Sequence, residues 1–141
     1  MMAIYVDASA VVRLLFHEPG VRAPVHRSDV VVSSDVVAIE VARVLDRARL
    51  EGLVDDAELA RKSSELQAIL RRLHLFPLAP EMVEVARSSF PVQCRAVDAI
   101  HVATAQLVSQ ETPSLEFWTH DPMTAAAAAV RGLEVQGLSR A

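Results

Sequence analysis

Ile4-Tyr5-Val6-Asp7-Ala8-Ser9-Ala10, IYVDASA, packs two signals into seven residues. Three apolar or aromatic residues in a row read as a short buried strand. An aspartate ends the strand, and a helical pattern begins at once. An ionisable group at the mouth of a buried strand is either a helix cap or part of a site.

The same strand-then-helix pattern continues outward from this stretch. Met2 to Val6 is the first strand, and Ala8 to Phe16 a helix closed by Pro19 and Gly20. Val21 to Ser28 is weakly helical, with Pro24 set against it. Val30 to Ser33 is a second strand. Ser34 and Asp35 are cap types before a helix over Val36 to Leu50 that ends near Gly52. Asp55 and Asp56 open a helix that runs to about Leu73, and Leu75 to Leu78 is a strand. Pro80 suits the first position of a short helix, with Glu81 favourable beside it. Val97 to Ser109 is a helix, Leu115 to Thr119 a strand, Pro122 to Val130 a helix stopped by Gly132, and Leu133 to Val135 a last strand. Strands alternating with helices predict an α/β fold with a parallel sheet covered on both faces. Ligands of such sheets gather beyond the carboxyl ends of the strands. Asp7 and Asp121 each follow a strand, so both are expected on that edge.

Composition narrows the function classes. The 141 residues are expected to form a single domain, 1–141, and 52% hydrophobic content is ample for a core. Net charge is −4, which argues against nucleic-acid binding by a general positive field but leaves local arginines and bound metal open. Lys62 is the only lysine. Cys94 is the only cysteine, so no disulfide within the chain is possible, and it lacks an obvious base. No apolar run approaches a membrane span, and Met1 to Asp7 lacks the basic and apolar regions of a signal peptide. A cytoplasmic location without membrane contact is expected.

Four carboxylates raise the same question. Asp7 reads as an N-cap when taken alone, and Asp121 before Pro122 reads as a cap with a first-turn proline. Glu40 lies on the apolar face with Val37, Val41 and Val44, where an unpaired carboxylate is costly. Asp98, in VDAIHVATA, shares a face with His101, Val102 and Ala105, with no cation evident among these neighbours; a capping role remains open for it. If the four converge, their repulsion is relieved by protonation or by a divalent cation. An all-oxygen set suits Mg²⁺ or Mn²⁺ rather than zinc. An acidic metal cluster at the edge of an α/β sheet points to phosphodiester hydrolysis.

IYVDASAVVRLL, Glu40 within AIEVARVL, RAVDAIHVATA and FWTHD, in this order and spacing, resemble the PIN domain. More narrowly, they resemble the small PIN-domain toxins of VapBC toxin–antitoxin pairs, over nearly the whole chain. The resemblance implies a three-layer α/β/α sandwich with a central, mostly parallel sheet. It implies an endoribonuclease dependent on Mg²⁺ or Mn²⁺ that leaves a 5′-phosphate and a 3′-hydroxyl. Asp7, Glu40, Asp98 and Asp121 match the family's catalytic and metal-holding quartet, and Ser9 and Thr119 match its supporting hydroxyls. The partners it implies are an RNA substrate, a cognate VapB-like antitoxin reaching into or beside the acidic cleft, and a second copy in a homodimer.

Beyond the quartet, Arg13, Arg43 and His120 are candidates for contact with RNA. Each has a plainer reading as a solvated, salt-bridging or loop residue. His101 reads as a packed histidine, and Tyr5 and Trp118 as core. The stripe Leu59, Leu66, Ile69, Leu70 and Leu73 is core or dimer interface. His17, His26 and His74 show no ligand spacing. Three rivals are weighed against the ribonuclease. An aspartyl-phosphate phosphohydrolase needs a second Asp where this chain has Ser9. A catalytically inert PIN-like module would bind RNA or protein without cutting. A DNA nuclease of the same fold would be expected to carry added DNA-clamping domains.

Overall fold

The computed structural model describes residues 2–138, so Met1 and 139–141 of the expected domain lie outside the described residues. Eleven elements follow in chain order: β1 (Ala3–Val6), α1 (Ala8–Leu15), β2 (Val30–Ser34), α2 (Val36–Leu50), α3 (Asp56–Arg71), β3 (His74–Phe76), α4 (Pro80–Ala86), α5 (Ala96–Glu111), β4 (Glu116–Trp118), α6 (Pro122–Val130) and β5 (Glu134–Gln136). The strands form one sheet in the order β3-β2-β1-β4-β5, and every pairing is parallel. The opening stretch is therefore the central strand. Ile4 faces Val31 on one side and Glu116 on the other, and Tyr5 faces Val32 and Phe117. Burial on both faces explains its unbroken apolar run.

Alternation along β1 divides the core in two. Ile4 and Val6 point to one face and pack with Val11 and Leu15 of α1, Val37 and Val41 of α2 and Leu66 of α3. Ala3 and Tyr5 point to the other, with Val102 and Ala105 of α5, Ala127 and Ala128 of α6, and Phe117. The Tyr5 and Phe117 rings stack with centroids 5.1 Å apart. Helices on both faces of a parallel sheet make the expected three-layer α/β/α sandwich. Leu59, Leu66, Ile69, Leu70 and Leu73 all join the first cluster, so this stripe is core.

One sequence expectation fails. Val21 to Ser28 is an irregular connection with a single turn at Val25–Arg27. The Ser28 hydroxyl and N–H both donate to the Pro24 carbonyl, at 2.8 and 3.0 Å, closing a single turn, while Pro24 itself lacks an N–H and disfavours helical geometry at Ala23. Ala23 and Val25 are buried, so the connection is held by packing rather than by a helical ladder.

The strand order places the site. The chain leaves β1 toward β2 and β3, then crosses back to add β4 and β5 on the opposite side. The switch point thus lies between the carboxyl ends of β1 and β4, where a parallel sheet opens a crevice. Asp7 leaves β1 there, and Thr119 to Asp121 leave β4.

Candidate acidic site

Three helices begin at this crevice, and each carries a carboxylate in its first turn or cap. Asp7 caps α1, accepting the Ala10 N–H on Oδ1 at 3.0 Å. Asp121 caps α6, accepting the Met123 N–H at 2.9 Å. Asp98, in the first turn of α5, accepts the Arg95 N–H at 3.1 Å. The capping readings and the site reading are thus compatible. Capping fixes each carboxylate at a helix N-terminus, whose dipole favours negative charge.

Asp7 is 4% exposed, and each of its carboxylate oxygens accepts at least one hydrogen bond. Ser9 donates to Oδ1 at 2.7 Å, and Thr119 donates to Oδ2 at 2.6 Å. Ser9 also accepts the His120 N–H at 2.8 Å, and Thr119 accepts the Asp121 N–H at 3.1 Å. The two hydroxyls therefore tie the end of β1 to the loop after β4. Burial pushes the Asp7 carboxyl above its ordinary range, and the hydroxyls from Thr119 and Ser9 only partly offset this.

Asp98 and Asp121 share a cation. Arg95 donates Nε to Asp98 Oδ2 at 2.8 Å and Nη2 to Asp98 Oδ1 at 3.3 Å, and the same Nη2 donates to Asp121 Oδ2. Thr124 of α6 adds a 2.9 Å bond to Asp98 Oδ1. Burial raises the Asp121 carboxyl, but the bonds from Arg95 and from the Met123 N–H outweigh it and hold it below the usual range. The two carboxylates in turn push the Arg95 guanidinium up.

Glu40 reaches the cleft from the middle of α2. Its Oε1 lies 2.6 Å from His101 Nε2, and His101 Nδ1 lies 2.6 Å from the Tyr5 hydroxyl. A carboxylate only accepts, so Nε2 carries the proton and Nδ1 is left for the Tyr5 hydroxyl. His101, 2% exposed, is the packed histidine expected, and it joins Glu40 through one ring nitrogen to Tyr5 through the other.

All four acids line one cleft of about 580 Å³, together with Ser9, Arg13, Glu18, Arg95, His101, His120 and Thr124. That volume lies within the range of ligand sites. Arg13 pairs with Glu18 at 3.7 Å and donates to the Pro19 carbonyl. His120 donates from Nδ1 to the Gly137 carbonyl at 2.5 Å, which leaves its Nε2 without a partner in the cleft wall. Arg43 is not part of this lining. It is exposed and pairs with Asp46 at 2.7 Å, so its position gives no support to a contact with RNA. Burial, followed by the Asp98 charge, pushes the Cys94 thiol up, away from thiolate reactivity.

The donor chemistry suits a hard divalent cation: four carboxylates from four separate segments, with no thiolate. Among the described residues, however, no three acidic, histidine or cysteine side chains form a ready cage. Arg95 holds two of the four acids and His101 a third. The sequence reading missed Arg95, although it stands three positions before Asp98, the spacing of a helical ion pair. Its bond to Asp121 had no sequence signal, and neither did that of Thr124 to Asp98.

Comparison with known proteins bears on the family and the fold. A family model described as the PIN domain matches residues 4–130. Ribonuclease VapC46 of Mycobacterium tuberculosis (strain ATCC 25618 / H37Rv) is 33% identical over 138 residues, covering 96% of this chain and 97% of that protein. Ribonuclease VapC47 of Mycobacterium tuberculosis (strain CDC 1551 / Oshkosh) is 26% identical over 124 residues, covering 83% and 85%. The crystal structure of PAE2754 from Pyrobaculum aerophilum superposes with a TM-score of 0.63 at 21% identity, over 95% of this chain and 83% of that one. That likeness bears on the fold alone.

Proposed function

Because the chain belongs to the PIN domain family, as a VapC-like member, we propose that it is a metal-dependent endoribonuclease acting as the toxin of a toxin–antitoxin pair. The observation that carries this reading is the convergence of Asp7, Glu40, Asp98 and Asp121 on one cleft at the switch point of the sheet. These four are assigned as the catalytic and metal-holding residues, with Mg²⁺ or Mn²⁺ as the cofactor. When bound, such an ion supplies activation of water and stabilisation of the charge that develops on the leaving oxygen.

The chain's own residues do the rest. Ser9 and Thr119 hold both oxygens of Asp7 from the protein side, fixing the carboxylate's orientation. His101, itself held by Tyr5, fixes Glu40 in the same way. Thr124 holds Asp98. Arg13 and His120, at the cleft wall, are assigned to contact RNA, Arg13 through phosphate oxygens. With so few aromatic residues, the chain offers little to stack bases, which favours recognition through the backbone. A cognate VapB-like antitoxin, a homodimeric state and a cytoplasmic location belong to the same proposal. No helix among the described residues is long and apolar enough to cross a membrane.

One observation favours a second reading. Arg95 already neutralises two of the four acids, as a non-cutting RNA- or protein-binding module would allow. Cleavage separates the two. End-labelled single-stranded RNA and the matching DNA are incubated with Mg²⁺, Mn²⁺ or EDTA, with identically purified Asp98→Asn protein as control. Metal-dependent cutting of RNA but not DNA, absent from the variant, is expected. Folded protein that neither binds metal nor cuts cellular RNA would favour the binding module.

A further inference from the structure

An ordinary ion pair between the N-cap residue of α5 and its first turn accounts for Arg95 and Asp98. It does not account for the second contact. The Arg95 guanidinium also reaches Asp121 at the start of α6, so one cation bridges two acids from two different helices. Among the described residues, Arg95 is the only arginine or lysine paired with any of the four acids. Arg13, the other cation in the cleft lining, is engaged with Glu18 and the Pro19 carbonyl.

From this bridge we propose that Arg95 is a built-in counter-cation of the acidic cleft, which a divalent cation must displace to reach Asp98 and Asp121. The inference rests on the metal-holding role given to the quartet above and adds a competitor to it.

Three features support competition rather than simple structural bracing. The guanidinium and a divalent ion would draw on the same carboxylate oxygens, and two cations at one compact site repel each other. The Arg95 side chain is 59% exposed and anchored only by these two acids, so it has open solvent to retreat into. Its backbone N–H caps Asp98 Oδ2 independently of the side chain, so α5 keeps that bond when the guanidinium leaves. Arg95 therefore shields Asp98 from Asp121 without metal, and it lowers the apparent affinity for metal by the fraction of time it occupies the acids.

The test is isothermal titration of Mg²⁺ and Mn²⁺ into metal-stripped wild-type protein and into Arg95→Gln, Arg95→Lys and Asp98→Asn. Removal of a partly exposed, doubly bonded cation is expected to tighten metal binding roughly 5- to 30-fold in Arg95→Gln. Arg95→Lys, a cation without the planar fork, should fall between that variant and wild type. The Arg95 Nε–H resonance in a ¹H–¹⁵N spectrum should shift on Mg²⁺ addition with the midpoint seen by calorimetry. Unchanged circular dichroism and melting would show that the exposed substitutions leave the fold intact. Equal or weaker metal binding by Arg95→Gln, with Asp98→Asn still weakened, would overturn the counter-cation and leave the metal site standing. Absence of binding by wild type and Arg95→Gln alike would overturn the metal site, and the counter-cation with it.

Discussion

Thr119 donates its hydroxyl hydrogen to Asp7 Oδ2 at 2.6 Å, although the two residues lie 112 positions apart. The bond joins the ends of β1 and β4, and the same oxygen of Thr119 accepts the Asp121 N–H. One hydroxyl therefore sets the placement of two of the four acids.

Thr119→Val keeps the shape and removes both hydrogen bonds. It leaves a buried carboxylate oxygen and the Asp121 N–H with one partner fewer. Unfolding free energy should drop by about 1–3 kcal/mol in urea titration. Cleavage should slow roughly 10- to 100-fold, as expected when the support of a metal-holding group is lost. Thr119→Ser should restore most of both. A Thr119→Val protein as active as wild type would separate the hydroxyl from the chemistry.

Asp7 makes a pH-dependent contribution of the opposite sign to a surface carboxylate. Burial raises its folded-state pKa above the unfolded value, so the folded chain holds this proton more tightly. Stability from this group therefore falls as pH rises from the ordinary carboxylate range through the raised folded value, and the full cost persists above it. Asp7→Asn removes that cost. Melting in EDTA should show the stability of the variant relative to wild type rising from acid to neutral pH. Its cleavage rate should fall roughly 10²- to 10⁴-fold. A variant that loses both stability and activity would assign Asp7 to structure alone.

The Glu40–His101–Tyr5 chain predicts graded effects. Tyr5→Phe deletes one hydroxyl while keeping the ring that stacks on Phe117, and should cost about 1 kcal/mol. His101→Ala removes the ring, opens a cavity and frees Glu40, and should cost about 2–4 kcal/mol. Cleavage should fall more in His101→Ala than in Tyr5→Phe, and by about as much in Glu40→Gln as in His101→Ala. Single-turnover rates of the three variants at fixed metal concentration check that order.

Gly137 lies just beyond β5 with φ +102°. A Cβ there would stand 2.6 Å from the Thr119 carbonyl oxygen and 3.2 Å from His120 Cε1. Gly137→Ala should therefore destabilise the protein by about 1–3 kcal/mol and shift the His120 ring resonances. Gly52→Ala, also at positive φ but with nothing within 4 Å, should cost less and leave His120 unmoved. Urea titration and imidazole NMR distinguish the two.

Much of this protein is legible without coordinates where the cause is local. The unbroken apolar run before Asp7 marked a buried strand, and the aspartate–proline pair at Asp121 marked the start of α6 at its observed first residue. Helix periodicity placed Glu40 on the buried side of α2, beside Val37 and Val41. The one element that failed was also local: Pro24 sits in a segment whose few apolar residues are buried in an irregular connection.

The sequence by itself determined the order of strands and helices, the apolar faces, and the presence of four acids at helix starts or on a core face. Backbone sterics and side-chain periodicity act within a few residues, so a single chain displays them directly. Only the tertiary structure decided what those acids touch. The parallel crossovers bring β1 beside β4, and so bring Thr119 to Asp7, His101 to Glu40 and Asp121 to the guanidinium of Arg95. Such partners are chosen by the sheet's strand order and by packing between layers, and neither leaves a periodic trace in the sequence around the residues they join.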